Sequence, residues 1–404
     1  MKKSTLALAV AAALTGFGSV AVADTTLYGS ARVSVDYNDL DSTYVTNARG
    51  DLVRVFTGFT AWDVVNNSSR LGVRGEEDLG GGLSAIYQYE FGVDMTEGGN
   101  FNSNRPKWVG LKGTSWGSVT AGTQWTPYYN VMGIADIFNS SANTFVQRSY
   151  LGATYGLRMD NSLVYTSPNW SGFGFQAMLV MNGDVSANDP TAPSELTKCS
   201  ADNKLPCNLS DSVDMYQLNV TYKNGPFFAG LAYMALDGPG FGSFFNDPAN
   251  YSTVAQVRQD PTLAKVKYTA PTWDGDQWGL ALGYNAGPFA VTLNYEDGDV
   301  NPLYFGDTQN IYVTGAYTFG NNTIRGFYGF MSPDKGNVPT FARQGTNIVQ
   351  VGDLKQDDID NWGLGYQYNF SKRTRVWVEY IGSSVDSDLI GDSQAVSIGT
   401  RHDF

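Results

Sequence analysis

From residue 25 onward the chain alternates apolar with polar or small residues in segments of roughly ten, the period of a strand with two unlike faces. In the first segment Leu27, Gly29, Ala31, Val33, Val35 and Tyr37 share one face, and Tyr28, Ser30, Arg32, Ser34 and Asp36 share the other. The same period predicts strands over 68–76, 82–91, 105–113, 118–124, 161–167, 173–181, 214–222, 227–235, 277–284, 289–297, 310–319, 323–331, 362–370 and 374–382, and a last one in GDSQAVSIGTRHDF, which ends on Phe404. Sixteen segments result. Their connections alternate between tight turns, such as Lys223-Asn-Gly-Pro226 and Asn285-Ala-Gly-Pro288, and long polar stretches over 38–67, 92–104, 125–157, 182–213, 236–276, 298–309, 332–361 and 383–393. Gly, Asn and Pro in the short connections suit tight hairpins.

A soluble sandwich would mix hairpins with crossovers, whereas here short and long ends alternate without exception. Strands of this length cross a hydrocarbon core when tilted, and Tyr37, Phe91, Trp278, Tyr284, Tyr368 and Phe370 lie near strand ends, as interfacial aromatics do. A membrane tolerates no open sheet edge, so the ladder must close. The pattern predicts an all-β fold: a transmembrane antiparallel β-barrel of 16 strands, with short periplasmic turns and long extracellular loops.

The first 23 residues read differently. Lys2 and Lys3, a short Leu/Ala/Val run and Ala21-Val22-Ala23 have the layout of a secretory signal, so residues 1–23 are expected to be removed and 24–404 to form the barrel. An exported chain passes an oxidising compartment, and Cys199 and Cys207, the only cysteines, are expected to form a local disulfide. The net charge of −13 excludes nucleic acid as a partner. The single histidine, His402, falls on the apolar face of the last strand, so no nucleophile, base and orienter can be assembled; no catalytic residue, metal site or cofactor is expected.

Charge on the polar face gathers in the N-terminal half. Arg32, Arg70, Arg74, Arg105, Lys107 and Arg158 are the basic members, with Glu90 and Asp160 the nearby acids. An arginine facing lipid at the midplane costs about 2–4 kcal/mol, so parity assigns all of them to the lumen. The third long connection, 125–150, is unusual in carrying Val131, Met132, Ile134, Ile137 and Phe138 with one acid, Asp136. Folded into the barrel, it would pack these on the wall and present Tyr128, Asp136 or Asn139 to the channel, with Tyr129 beside them. Such a loop narrows the passage opposite the basic wall and passes small hydrated solutes.

The sequence resembles the Gram-negative general porins. The likeness rests on Leu27-Tyr-Gly-Ser-Ala-Arg32, Ser69-Arg-Leu-Gly-Val-Arg-Gly-Glu-Glu-Asp-Leu-Gly80, Trp108-Val-Gly-Leu-Lys112 with Gly117-Ser-Val-Thr-Ala-Gly122, and the closing Ile398-Gly-Thr-Arg-His-Asp-Phe404. The resemblance implies a homotrimer in the outer membrane, among its lipid and lipopolysaccharide, passing ions and small hydrophilic solutes by passive diffusion. It also implies a constriction between the third loop and the basic cluster, to which Arg70, Arg105, Arg32 and Arg158 correspond, and a terminal Phe404 read by the barrel-assembly machinery. A substrate-specific porin is the alternative; it would need an aromatic track or a basic staircase. Such constriction loops often carry several acids, whereas here Asn139-Ser-Ser-Ala-Asn stands where a second would fall.

Overall fold

The computed structural model describes residues 24–47, 49–98, 101, 105–140, 154–181, 213, 215–236, 275–300, 307–334, 337–344, 347–355, 357–387 and 390–404. The leader over 1–23 and the Cys199–Cys207 pair lie outside the described residues. The wall consists of β1 (Asp24–Leu40), β2 (Phe59–Asn66 continued by Arg70–Gly80), β3 (Leu83–Gly92), β4 (Lys107–Gly113), β5 (Gly117–Trp125), β6 (Arg158–Thr166), β7 (Phe173–Val180) and β8 (Met215–Asn224). It continues with β9 (Phe227–Leu236), β10 (Gly275–Ala286), β11 (Phe289–Gly298), β12 (Thr308–Phe319), β13 (Asn322–Pro333), β14 (Ile359–Asn369), β15 (Thr374–Val385) and β16 (Ser393–Asp403). Each strand pairs antiparallel with the next, and β1 pairs with both β2 and β16, which closes a barrel of 16 strands.

β2 is longer than the alternation predicts, and a bulge explains why. Ser68 adopts φ 65° between the two pieces of the strand. Arg32 opposite satisfies the break: its carbonyl accepts from the Asn67 amide at 3.0 Å, and its own amide donates to Ser69 Oγ at 2.8 Å. The extra residues shift the alternation, so Phe59–Asn66 does not read in phase with Arg70–Gly80.

The barrel is inside out relative to a soluble domain. Leu27, Val109 and Leu364 are 62%, 58% and 63% exposed on the outer face. Such a belt is stable in lipid and would drive aggregation in water. Aromatic pairs ring the short-turn end: Phe173–Tyr222, Phe227–Tyr284, Phe289–Tyr317 and Tyr368–Phe370 have centroids 4.4–5.2 Å apart. A second ring lies toward the long connections, where the Tyr233, Tyr295 and Tyr328 hydroxyls donate to Asp276, Asp297 and Asp360. Two amphipathic girdles mark the two edges of the apolar band. Beyond the second ring, Thr43–Thr46, Leu52–Phe56, Asn337–Gln344 and Asn347–Lys355 form a separate four-stranded sheet joining the first and seventh long connections.

Phe404 completes the seam. Its amide and carbonyl exchange hydrogen bonds with Gly29 at 3.1 and 3.0 Å. Its ring lies where a Cβ on Gly29 would stand, 2.3 Å from Cζ, so only glycine fits beneath it. Deleting Phe404 removes this pair and the interfacial ring together. The deletion is expected to lower the folded, heat-modifiable barrel in outer membranes several-fold, with channels that do assemble conducting normally in bilayers. Unchanged yield would refute the role.

Candidate conduction site

The third long connection folds into the barrel. Thr126 caps a short helix, α1 (Pro127–Met132), its Oγ1 accepting from the Tyr129 amide at 2.9 Å, and Pro127 opens the first turn. A 3₁₀ turn over Gly133–Ala135 follows. So short a helix does not hold alone in water. Tyr128, Val131, Met132 and Ala135, at i, i+3, i+4 and i+7, are all buried against the inner wall. The wall leaves room for them with small residues. A Cβ on Gly230 of β9 would lie 2.8 Å from Val131 Cγ1, and one on Gly279 of β10 would lie 2.7 Å from Met132 Sδ.

Polar contacts fix the register. Asn219 and Asn294 donate to the Pro127 and Met132 carbonyls at 2.8 and 2.9 Å, and Tyr128 donates to Glu296 Oε1 at 3.0 Å. The tip is held further round the barrel. Glu379 of β15 accepts from the Asn139 and Ser140 amides at 2.9 and 2.8 Å, Arg325 of β13 donates to the Ile137 carbonyl, and Phe138 meets Phe327 edge-on at 4.9 Å. Backbone carbonyls and amides that a short turn leaves orphaned are thus taken up by the wall.

Opposite this loop stands the basic wall. Arg70 and Arg105 both approach Glu90 Oε1, at 3.8 and 3.5 Å, and Arg105 also donates to the Ser68 carbonyl at 3.0 Å. Glu90 is 4% exposed and accepts from the Tyr28 hydroxyl at 3.0 Å, while Arg74 lies over the Tyr28 ring. The Arg158 guanidinium covers Trp125 at 4.6 Å, and Trp125 stacks on Tyr129 at 4.5 Å and 19°. This stack joins β6, β5 and the loop helix. Tyr129 is within Coulombic reach of Arg70, Arg105 and Arg158 on one side and of Asp136 on the other; burial first, then Asp136, pushes its phenol above the ordinary value, so it stays neutral across physiological pH. Asp136 is exposed to the lumen.

Four expected positions differ. Lys107 lies on the outer face: it pairs with Tyr89 and Thr123, is in phase with Val109 and Leu111, and its Nζ sits over Phe91 at 5.1 Å. Arg105 faces inward because it precedes the strand, where parity does not govern. Asp160 leaves the lumen for a related reason. Asn161 takes φ 51° and the β5–β6 register slips between Gly122 and Gln124, so Met159, Ser162 and Val164 point inward and Asp160 shares an open cleft with Lys107, Leu163 and Met181. Tyr128 is fully buried on the wall and Asn139 is tied to Glu379 and Gln367, so of the three side chains expected at the channel Asp136 alone is exposed.

The alternation missed Glu296, Arg325 and Glu379, which grip the loop, and the Lys112–Glu76 ion pair at 3.0 Å. Parity with Lys107 in the lumen puts Lys112 on the outer face, and only the folded loop shows what Glu296, Arg325 and Glu379 hold. Among the described residues no helix is long and apolar enough to cross a membrane, which does not bear on strands, and no group of acids, histidines or cysteines could hold a metal ion.

The family described as Gram-negative porin matches residues 7–386. The chain is 29% identical over 424 residues to an outer membrane porin protein of Bordetella pertussis, and 28% identical over 416 residues to the major outer membrane protein P.IB of Neisseria gonorrhoeae, each match covering 100% of both chains. Its fold is similar to that of the anion-selective porin from Comamonas acidovorans, with a TM-score of 0.60 at 19% identity, covering 95% of this chain and 100% of the other.

Proposed function

We propose, since this chain belongs to the Gram-negative porin family, that it is a general diffusion channel with a preference for small anions, working as a homotrimer. As a porin it resides in the Gram-negative outer membrane, among lipid and lipopolysaccharide, and forms a water-filled channel for passive diffusion of ions and small solutes; it is a transport protein and not an enzyme. The short connections face the periplasm in this reading and the long ones the outside, with Phe404 at the periplasmic rim presented to the assembly machinery. The leader over 1–23 is removed, and Cys199 and Cys207 pair in an outer loop.

One observation carries the anion preference. Arg32, Arg70, Arg105 and Arg158 lie on the wall facing a loop whose exposed acid is Asp136, and Glu90 is shared between two of the arginines. Charge at the narrowest, least hydrated part of a pore outweighs acids on a screened rim. Asp136 opposite the arginines sets a modest transverse field, which holds back bulky apolar solutes because they would have to displace the water that the field orients.

A potassium chloride gradient across a planar bilayer tests this: the reversal potential is expected on the chloride side. A potential on the potassium side would overturn the preference. Liposome swelling with a series of neutral sugars is expected to slow smoothly with size, as in general diffusion; a sharp preference for one sugar would instead favour a substrate-specific channel.

A further inference from the structure

The outer face of the wall is dented where β5 and β6 slip in register. Gly122 pairs with Ser162 and Gln124 with Met159, which leaves Asp160 and Asn161 together opposite Thr123. Gly122 takes φ 133° and Asn161 φ 51°, and Ser162 Oγ donates to the Gly122 carbonyl at 2.6 Å. The dent is an open cleft of about 940 Å³, within the range of small-molecule sites, about 300–1,000 Å³. Two kinds of residue line it. Leu163 and Met181, 36% and 42% exposed, carry the apolar belt into the cleft. Lys107 and Asp160 bring one charge of each sign within Coulombic reach of each other. The ammonium of Lys107 is held at the wall, donating to the Arg105 carbonyl at 3.0 Å and lying over the Phe91 ring. Lys107 opens β4, Asp160 lies near the start of β6 and Met181 directly follows β7, so the cleft stands at the long-connection edge of the apolar band.

We propose that this cleft takes the phosphoethanolamine headgroup of an outer-leaflet glycolipid, with phosphate on Lys107, ammonium on Asp160, and an adjoining acyl chain along Leu163 and Met181. The proposal rests on the reading above that the long connections face the outside. The occupant is an amphiphile because the floor of the cleft is continuous with the surface that meets lipid. The pair of charges selects its headgroup. A bare phosphate gains from Lys107 but is repelled by Asp160. A phosphoethanolamine meets each charge with its opposite and adds N–H donors for the carboxylate. Low dielectric at the edge of the hydrocarbon strengthens both contacts relative to water.

The test is native mass spectrometry of the purified protein in detergent, titrated with lipid A carrying phosphoethanolamine on its phosphate or with the same lipid A lacking it. The modified form is expected to bind about fivefold tighter, the scale of one partly exposed ion pair. Asp160→Asn is expected to erase that preference by weakening the modified form and tightening the unmodified one, opposite signs that no general defect of the wall produces. Lys107→Gln is expected to weaken both forms. Asp160→Asn carries the test alone if Lys107→Gln does not assemble. Equal binding of the two forms to the unaltered protein, or a preference that survives Asp160→Asn, would overturn the site. Loss of oligomer in either variant with lipid binding unchanged would assign the cleft to a second barrel and overturn it equally. The reversal potential of the unaltered protein judges the channel reading separately, and protease access to the long connections on intact cells judges its orientation.

Discussion

Replacing Arg70 and Arg105 together with glutamine is expected to lower the chloride-over-potassium permeability ratio by about tenfold. At about 6 Å in water a unit charge changes an ion's energy by about 0.7 kcal/mol, and screening at 0.1 M salt removes nearly half of that. An anion loses attraction as a cation loses repulsion, so two removed charges change the ratio by about 1.5 kcal/mol, close to a factor of ten. The substitution also leaves Glu90 buried without its two partners, which costs stability by itself. The triple variant with Glu90→Gln removes that penalty and is expected to show about half the shift in energy. Glu90→Gln alone should move the ratio the other way. A double variant whose reversal potential matches the wild type would show that these arginines pair structurally without acting on passing ions.

Releasing the third loop should have the largest effect on size exclusion. Tyr128 and Met132 are fully buried on the inner wall. Truncating a buried aromatic costs about 3–5 kcal/mol and a buried methionine about 2–5. These losses fall on the docking of α1, because the wall's own ladder hydrogen bonds do not involve either side chain. Tyr128→Ala with Met132→Ala is therefore expected to leave a folded barrel with higher single-channel conductance and several-fold faster liposome swelling with di- and trisaccharides. Glu379→Gln is expected to act in the same direction but less strongly, since it weakens the tip while α1 stays docked. Unchanged conductance in the double variant, with normal assembly, would mean that the loop does not define the narrowest section.

The two tests bear on parts of the site that differed in how readable they were. The infolding of the third loop could be seen in advance because Val131, Met132, Ile134, Ile137 and Phe138 have no reason to face water. Its apolar residues announced a partner without saying which. The partners are glycines and alanines of β9 and β10, whose small size is unremarkable until a helix is laid over them. Lys107 shows the opposite failure. It stands two residues after Arg105, and simple parity puts both on one face, but Arg105 belongs to the turn before the strand. Asp160 was misplaced by a single left-handed residue, Asn161. Parity is a local rule, and one bulge or one positive φ reverses every position beyond it.

The alternation, the tight turns and the terminal phenylalanine were legible in the sequence alone. They follow from requirements on single residues or neighbours: a period of two, turn chemistry, and the cost of charge in lipid. That the ladder must close also follows, since no edge is tolerated in a membrane. What only the tertiary structure decided is which strands' side chains meet. The closure of β1 on β16 sets Arg32 beside Arg401 across more than three hundred residues, and the infolded loop hands its amides to Glu379. Register and loop docking are settled by interactions distant in the chain, so the pattern along the chain specifies a wall but not the arrangement of charge inside it.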